Sequence, residues 1–233
     1  MTIIGITHSS IVVQYSLNID LHTRILMKKY IFLSIGVVVV ASMMLSPVLQ
    51  ILQTSYAHQK ALYNIGGKDY LFVIGSLNEP AQVDDKTGVD FRAMYPDPSN
   101  PTDSRANGTQ PVTGLENSLK VEISAGNKNM TSDLEPAFGE LGSYESEPFY
   151  PTIPTTYNYR IFGDINGTNF DVTFSCSPGG EAGSVSDNST VQISQGVERK
   201  AIAGGFGCPE DRIGFPEPYI SQYELAQELN KTV

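Results

Sequence analysis

Three side-chain types in this chain have the reactivity and spacing to do chemistry. The first is histidine. The chain holds three, and His8 and His22 precede Met27, so His58 is the one imidazole in the polar remainder. At a free N-terminus, the α-amine and ring nitrogen of a histidine together chelate one Cu²⁺, an ion that nitrogen ligands suit. Further ligands would have to come from a second histidine or a carboxylate, and residues 58–233 hold no second histidine. Met94 and Met130 are the methionines left there, too few for a thioether-rich Cu⁺ site. As a metal residue, His58 is therefore a bare candidate for weak copper binding, with an acidic neighbour as its helper. Its alternative is a plain exposed terminal residue.

The second type is cysteine. Cys176 and Cys208 are the pair, without C-x-x-C spacing and without a nearby histidine. In an oxidising compartment they are expected to form one disulfide. The third type is the carboxylate. Two Asp or Glu residues can serve a hydrolase as acid and base, yet nothing in the spacing selects a pair. No G-x-S-x-G elbow, Walker loop or dinucleotide glycine pattern is present. The expectation is a protein that is not an enzyme and carries no resident cofactor.

Whether His58 becomes terminal depends on the segment before it. From Met27 the chain reads MKKYIFLSIGVVVVASMMLSPVLQILQTSYA. Two lysines, an apolar run, and small residues Ser55 and Ala57 before His58 make the three-part pattern of a secretory signal. The run is also about as long as the ~20 apolar residues that span a bilayer. Two fates follow: cleavage after Ala57, or retention as a membrane anchor. Either places residues 58–233 outside the cytoplasm, secreted or held at the outer face of the cell membrane. Residues 1–26 read as a start-site extension or a cytoplasmic tail, with Met27 as the alternative start.

The formal charge is −10. Residues 1–57 carry Arg24, Lys28 and Lys29 against Asp20, so 12 basic and 24 acidic residues remain and the rest stands at −12. An acidic chain repels phosphate backbones, which excludes nucleic acid as a partner class. It equally disfavours a basic patch on anionic lipid. N-x-S/T triplets at Asn107, Asn129, Asn166, Asn188 and Asn230 are glycan acceptors in principle on an exported chain.

The elements that must position these residues are strands. KDYLFVIG (68–75) is a compact apolar run. VDFRAMY (89–95), SLKVEISAG (118–126), NYRIFG (158–163) and TNFDVTFSC (168–176) alternate apolar and polar residues with period two. Asn166-Gly167 joins the last two as a tight hairpin. Its aspartates do not follow the spacing of an EF-hand calcium loop. Pro- and Gly-rich pieces at 78–88, 96–111 and 147–154 separate the strands. Tyr157 or Tyr159 stands where a tyrosine corner would open a late strand.

The expectation is all-β: an antiparallel immunoglobulin-like sandwich of about seven strands over 58–176, preceded by a signal or anchor helix at 27–57. Residues 177–233 read as an appended, disulfide-tied segment. It would hold one strand (190–194) and a short helix (217–231) with Ile220, Leu225 and Leu229 as its apolar contacts.

The segments with Asn78-Glu79-Pro80, PVTGL (111–115), LEPAFG (134–139) and FGDING (162–167) resemble exported immunoglobulin-like proteins of the YtkA-like and CopC-like copper-resistance type. The resemblance covers about residues 58–176. It implies a β-sandwich and, on the CopC-like side, an extracytoplasmic copper binder using an N-terminal histidine, which carries over to His58 alone. The leading functional expectation is an exported, envelope-associated binding or structural module without catalytic activity, partnered by an envelope protein or a glycan. Copper handling through His58 is the alternative, and a carboxylate-based hydrolase the third.

Overall fold

The computed structural model describes residues 58–178 and 186–231. The expected signal or anchor helix, and the extension before it, lie outside the described residues. Among the described residues, no helix is long and apolar enough to cross a membrane.

The described residues are all-β and antiparallel, with one short α-helix near their C-terminal end. Its strands are β1 (Gln59–Ile65), β2 (Lys68–Ser76), β3 (Val89–Tyr95), β4 (Gln110–Pro111), β5 (Leu119–Ala125) and β6 (Lys128–Pro136). After these come β7 (Ser143–Ser146), β8 (Tyr157–Ile165), β9 (Thr168–Ser175), β10 (Ser186–Asp187), β11 (Val191–Ser194) and β12 (Val197–Ala203). The helix is α1 (Gln222–Lys231). Hydrogen-bonded neighbours run β10-β12-β1-β2-β3-β7-β6-β5-β8-β9, with β11 beside β12 and β4 beside β3.

That order makes two walls joined at a corner. β6 is the corner strand: Lys128–Asp133 pair with β5, while Leu134–Pro136 pair with β7. Apolar residues of the two walls meet in one aromatic core. Phe72 of β2 and Tyr63 of β1 lie 5.3 and 5.5 Å from Phe170 of β9, both near edge-on. Tyr70, Phe91, Tyr144 and Tyr159 are likewise almost fully buried. Period-two alternation explains this directly, because every second side chain of each strand faces the opposite wall.

Over 58–176 there are nine strands, β1–β9, where about seven were expected, for a physical reason. β1, β6 and β12 do not alternate cleanly. β1 buries Leu62 as well as Ala61, Tyr63 and Ile65, because Leu71 and Ala201 cover its outer face. β6 leaves Lys128 through Thr131 exposed. Among the described residues after Cys176 there are three strands where one was expected. β12 runs along β1 from Lys60↔Ala203 to Ile65↔Val197. Val197 and Phe206 have no exposed surface.

The Cys176–Cys208 disulfide is formed and closes a separation of 32 residues. Beside it, the backbone N–H of Ser177 donates to the carbonyl of Phe206, and that of Cys208 to the carbonyl of Ser177. The end of β9 is thereby stitched to the chain beyond β12. Tyr157 takes the corner position: its hydroxyl donates to the carbonyl of Ile153 at 3.4 Å, four residues upstream. The expected hairpin is present, with Asn166 and Gly167 at φ 51° and 79° and β8 paired to β9 from Asn158↔Ser175 to Ile165↔Thr168.

α1 begins with a reciprocal cap. Ser221 Oγ accepts from the N–H of Glu224, and Glu224 Oε2 accepts from the N–H of Ser221. The expected apolar contacts of this helix are not made in the core: α1 buries none of its residues, and Ile220 and Leu225 are 64% and 54% exposed. The reason is placement, since the caps and loops that hold α1 leave its apolar side away from both walls.

Candidate functional site

His58 enters β1 against the end of β2 and the start of β3. Its ring Nε2 is 3.0 Å from Asp90 Oδ2, and its Nδ1 is 3.9 Å from Glu79 Oε2. Asp90 is held from its other side by Arg92, whose Nη2 donates to Oδ2 at 2.9 Å and whose Nε donates to Oδ1 at 3.3 Å. Glu79 Oε1 accepts the backbone N–H of Ser76 at 2.8 Å. Ser76 Oγ in turn shares a hydrogen bond with Tyr159 OH at 2.9 Å. Tyr159 is stacked on Phe206, ring centroids 5.0 Å apart. One polar chain thus runs from His58, the first described residue, into the core.

Gly75 makes room for it. A Cβ at that position would stand 2.5 Å from Glu79 Oε1 and 2.7 Å from His58 Cδ2. The imidazole and the carboxylate occupy the space a side chain would fill. The turn after β2, which carries Asn78-Glu79-Pro80, folds Glu79 back over the end of its own strand.

Burial and pairing drive the two carboxyls apart. Burial pushes Glu79 up to about 7, against the opposing pull of the Ser76 N–H and the His58 charge, and the Asp90 charge adds to the rise. Burial also works to raise Asp90, but hydrogen bonds from His58 and Arg92, with the Arg92 charge, outweigh it and hold that carboxyl below its ordinary range. With Asp90 ionised, the His58 ring must donate through Nε2–H, which directs Nδ1 toward Glu79.

A carboxyl pair split in this way is the pattern that acid–base enzymes use. Two grooves, of about 330 and 150 Å³, lie against the β6–β7 turn and on the outer face of β1, β2 and β12. For a metal, the donors are one imidazole nitrogen and one carboxylate, since the Arg92 guanidinium already occupies Asp90. That falls short of the tetragonal set Cu²⁺ favours. Among the described residues, no group of three or more His, Cys, Asp or Glu side chains is arranged to hold a metal ion.

The sequence singled out His58 as a site residue, named Glu79 only within the Asn78-Glu79-Pro80 segment, and gave no site role to Asp90. The available signal was Asp90, an acidic residue beside Phe91 in a strand otherwise rich in buried positions. The asparagines of the N-x-S/T triplets are all exposed. Asn107 lies in the 96–109 loop and Asn188 just beyond β10. Asn166 uses its side chain to reach the Tyr70 hydroxyl, and Asn129 to reach Glu122. Asn230 is in the last turn of α1.

No family model, curated protein or solved structure matches this chain.

Proposed function

We propose that residues 58–233 form an exported, envelope-associated binding or structural module without catalytic activity. The observation that carries this reading is the β6–β7 turn. Phe138 is fully exposed and Leu141 is 78% exposed. Leu141 lines a groove of about 330 Å³ together with Thr113, Gly114, Glu116 and Glu140. A large apolar side chain left in water beside a groove marks a recognition surface rather than a core. The turn is fixed in place: Ala137 N–H donates to the Ser143 carbonyl, and Ala93 N–H to the Gly142 carbonyl. A partner would therefore meet a preformed shape, which lowers the cost of ordering it.

The partner class is an envelope protein or a glycan. The test is retention from native envelopes by the wild-type chain and by the F138S/L141S double variant. A specific protein or glycan held by the first and released by the second supports the reading. Equal retention, or none by either, rejects it.

The second reading is copper handling, favoured by the 3.9 Å approach of His58 Nδ1 to Glu79. If His58 is the mature N-terminus, its amine and Nδ1 form one chelate, Glu79 adds an oxygen, and Asp90 fixes the ring by accepting Nε2–H, as outer-shell carboxylates do at metal-bound histidines. Cu²⁺ titration of the form beginning at His58, followed by EPR, tests it. A nitrogen-coordinated signal lost in H58A supports it; no such signal, or one unchanged in H58A, rejects it.

A further inference from the structure

Ile213, Phe215, Ile220, Tyr223 and Leu225 are 98, 93, 64, 47 and 54% exposed. They belong to one stretch of chain, and that stretch is firmly attached. Glu210 pairs its backbone with Ala81 and Val83. Arg212 reaches the Val83 carbonyl at 2.9 Å and also holds the Asp85 carboxylate. Asp84 Oδ2 accepts from Tyr219 OH at 2.9 Å and from the N–H of Gln222 at 3.0 Å. A loop fastened at so many points has a fixed position, so the exposure of its apolar side chains belongs to the folded state.

That position is the end of the domain at which the chain comes in. The anchoring residues 81–85 directly follow Glu79, which sits beside His58. Five residue steps separate Glu79 from Asp84, so the two are at most ~18 Å apart. The opposite end carries the β1–β2 turn and the β11–β12 turn, joined by the Gly66 N–H donating to the Gly196 carbonyl. β2 runs between the two ends over nine residues, about 26 Å. Immediately before His58 in the sequence is the apolar run that ends at Leu52, six residues away and at most ~22 Å along the chain. If that run is in a bilayer, a tether this short keeps His58, and with it this end of the domain, within reach of the membrane surface.

We propose that residues 213–225 are a membrane seat: the exposed apolar side chains enter the interfacial layer of a neutral, zwitterionic bilayer and fix how the domain stands on it. This rests on the envelope placement argued above and adds the surface by which the domain meets lipid. An apolar cluster with tyrosines at its edge suits the headgroup layer. The charge around it chooses the lipid. Asp211, Glu217, Glu224 and Glu228 outnumber Arg212 and Lys231 along 211–231, and like charges would resist an anionic surface.

The chain contains no tryptophan, so single substitutions report position by fluorescence. The full chain would be reconstituted in phosphatidylcholine vesicles whose acyl chains carry bromine, as F215W, I220W and, at the opposite end, Q195W. The expected result is blue-shifted emission in F215W and I220W, with quenching by bromolipid several-fold stronger than in Q195W. Vesicle-bound protein in which bromolipid quenches F215W and I220W no more than Q195W overturns the seat while leaving the envelope placement standing. A blue shift that needs no lipid and grows with protein concentration assigns the cluster to a second copy and also overturns it. A full chain that does not float with vesicles removes both the placement and the seat.

Discussion

His58 Nε2 stands 3.0 Å from Asp90 Oδ2, so the first described residue of the chain is fastened to the second residue of β3, 32 positions further on. Asp90 in turn depends on Arg92 from the same strand. The outermost partners are half-exposed and the carboxyl between them is buried, which makes Asp90 the member whose loss matters most.

Asp90→Asn should cost about 1–3 kcal/mol at neutral pH, because the amide keeps the shape but leaves two donors without their charged acceptor. Urea unfolding measures it. The Asp90 carboxyl is depressed in the folded state. Its contribution is therefore complete above the ordinary carboxyl value of about 3.9 and is lost as pH falls through the lower folded value. The gap between wild type and D90N should close in that acid window. A gap that stays constant down to full protonation would contradict the pairing.

Glu79 has the opposite sign. Its folded value is pushed up to about 7, so the folded chain holds a proton that the unfolded chain has released. Stability should fall as pH rises from about 4.3 toward 7 and level off above it. Glu79→Gln keeps an acceptor for the Ser76 N–H and removes the ionisation. E79Q should gain on wild type by on the order of 2–3 kcal/mol between pH 5 and pH 8. Parallel pH–stability curves for the two proteins would refute it.

Gly75→Ala tests the seat of the same cluster. The added methyl would meet Glu79 and His58 at 2.5–2.9 Å, so these side chains must shift from their places. The expected outcome is a loss of about 1–3 kcal/mol together with disappearance of the Glu79 pH dependence. Unchanged pH dependence in G75A would show that Glu79 does not sit there.

Opening the Cys176–Cys208 bridge should lower stability by about 3–4 kcal/mol, from the entropy regained by a loop of this length. C176A/C208A compared with wild type in urea checks it, and reductant should shift wild type to the same midpoint. In the core, Phe72→Ala should cost about 3–5 kcal/mol, since its ring touches those of Tyr63, Tyr70, Phe91 and Phe170.

β2, β3, β5, β8 and β9 were legible as strands because each carries its own signal. Phe91 and Ala93 against Arg92, or Phe170 and Phe174 against Asp171, announce a buried and an open face without reference to any neighbour. β1 and β12 carry no such signal alone. QKALYNI and VERKAIA do not alternate strictly; Leu62 is buried because Leu71 and Ala201 cover it, and VERKAIA is a strand because β1 lies beside it. Gly66-Gly67, a two-residue glycine turn between two apolar runs, was the hint that β1 existed.

His58 was visible as a residue and invisible as a site. Its partners come from the turn after β2 and from β3, and no local pattern connects them. The sequence alone decided what neighbouring residues can decide: alternating faces, the Asn166-Gly167 turn, the acidic charge, and the pair of cysteines. The tertiary structure decided which distant strands meet, where β12 lies, what His58 touches, and which apolar residues of 213–225 are left exposed. The division has a physical cause. Strand character is set by side chains two positions apart, whereas strand pairing and burial are set by contacts between residues tens to more than a hundred positions apart, such as Lys200 with Asp69.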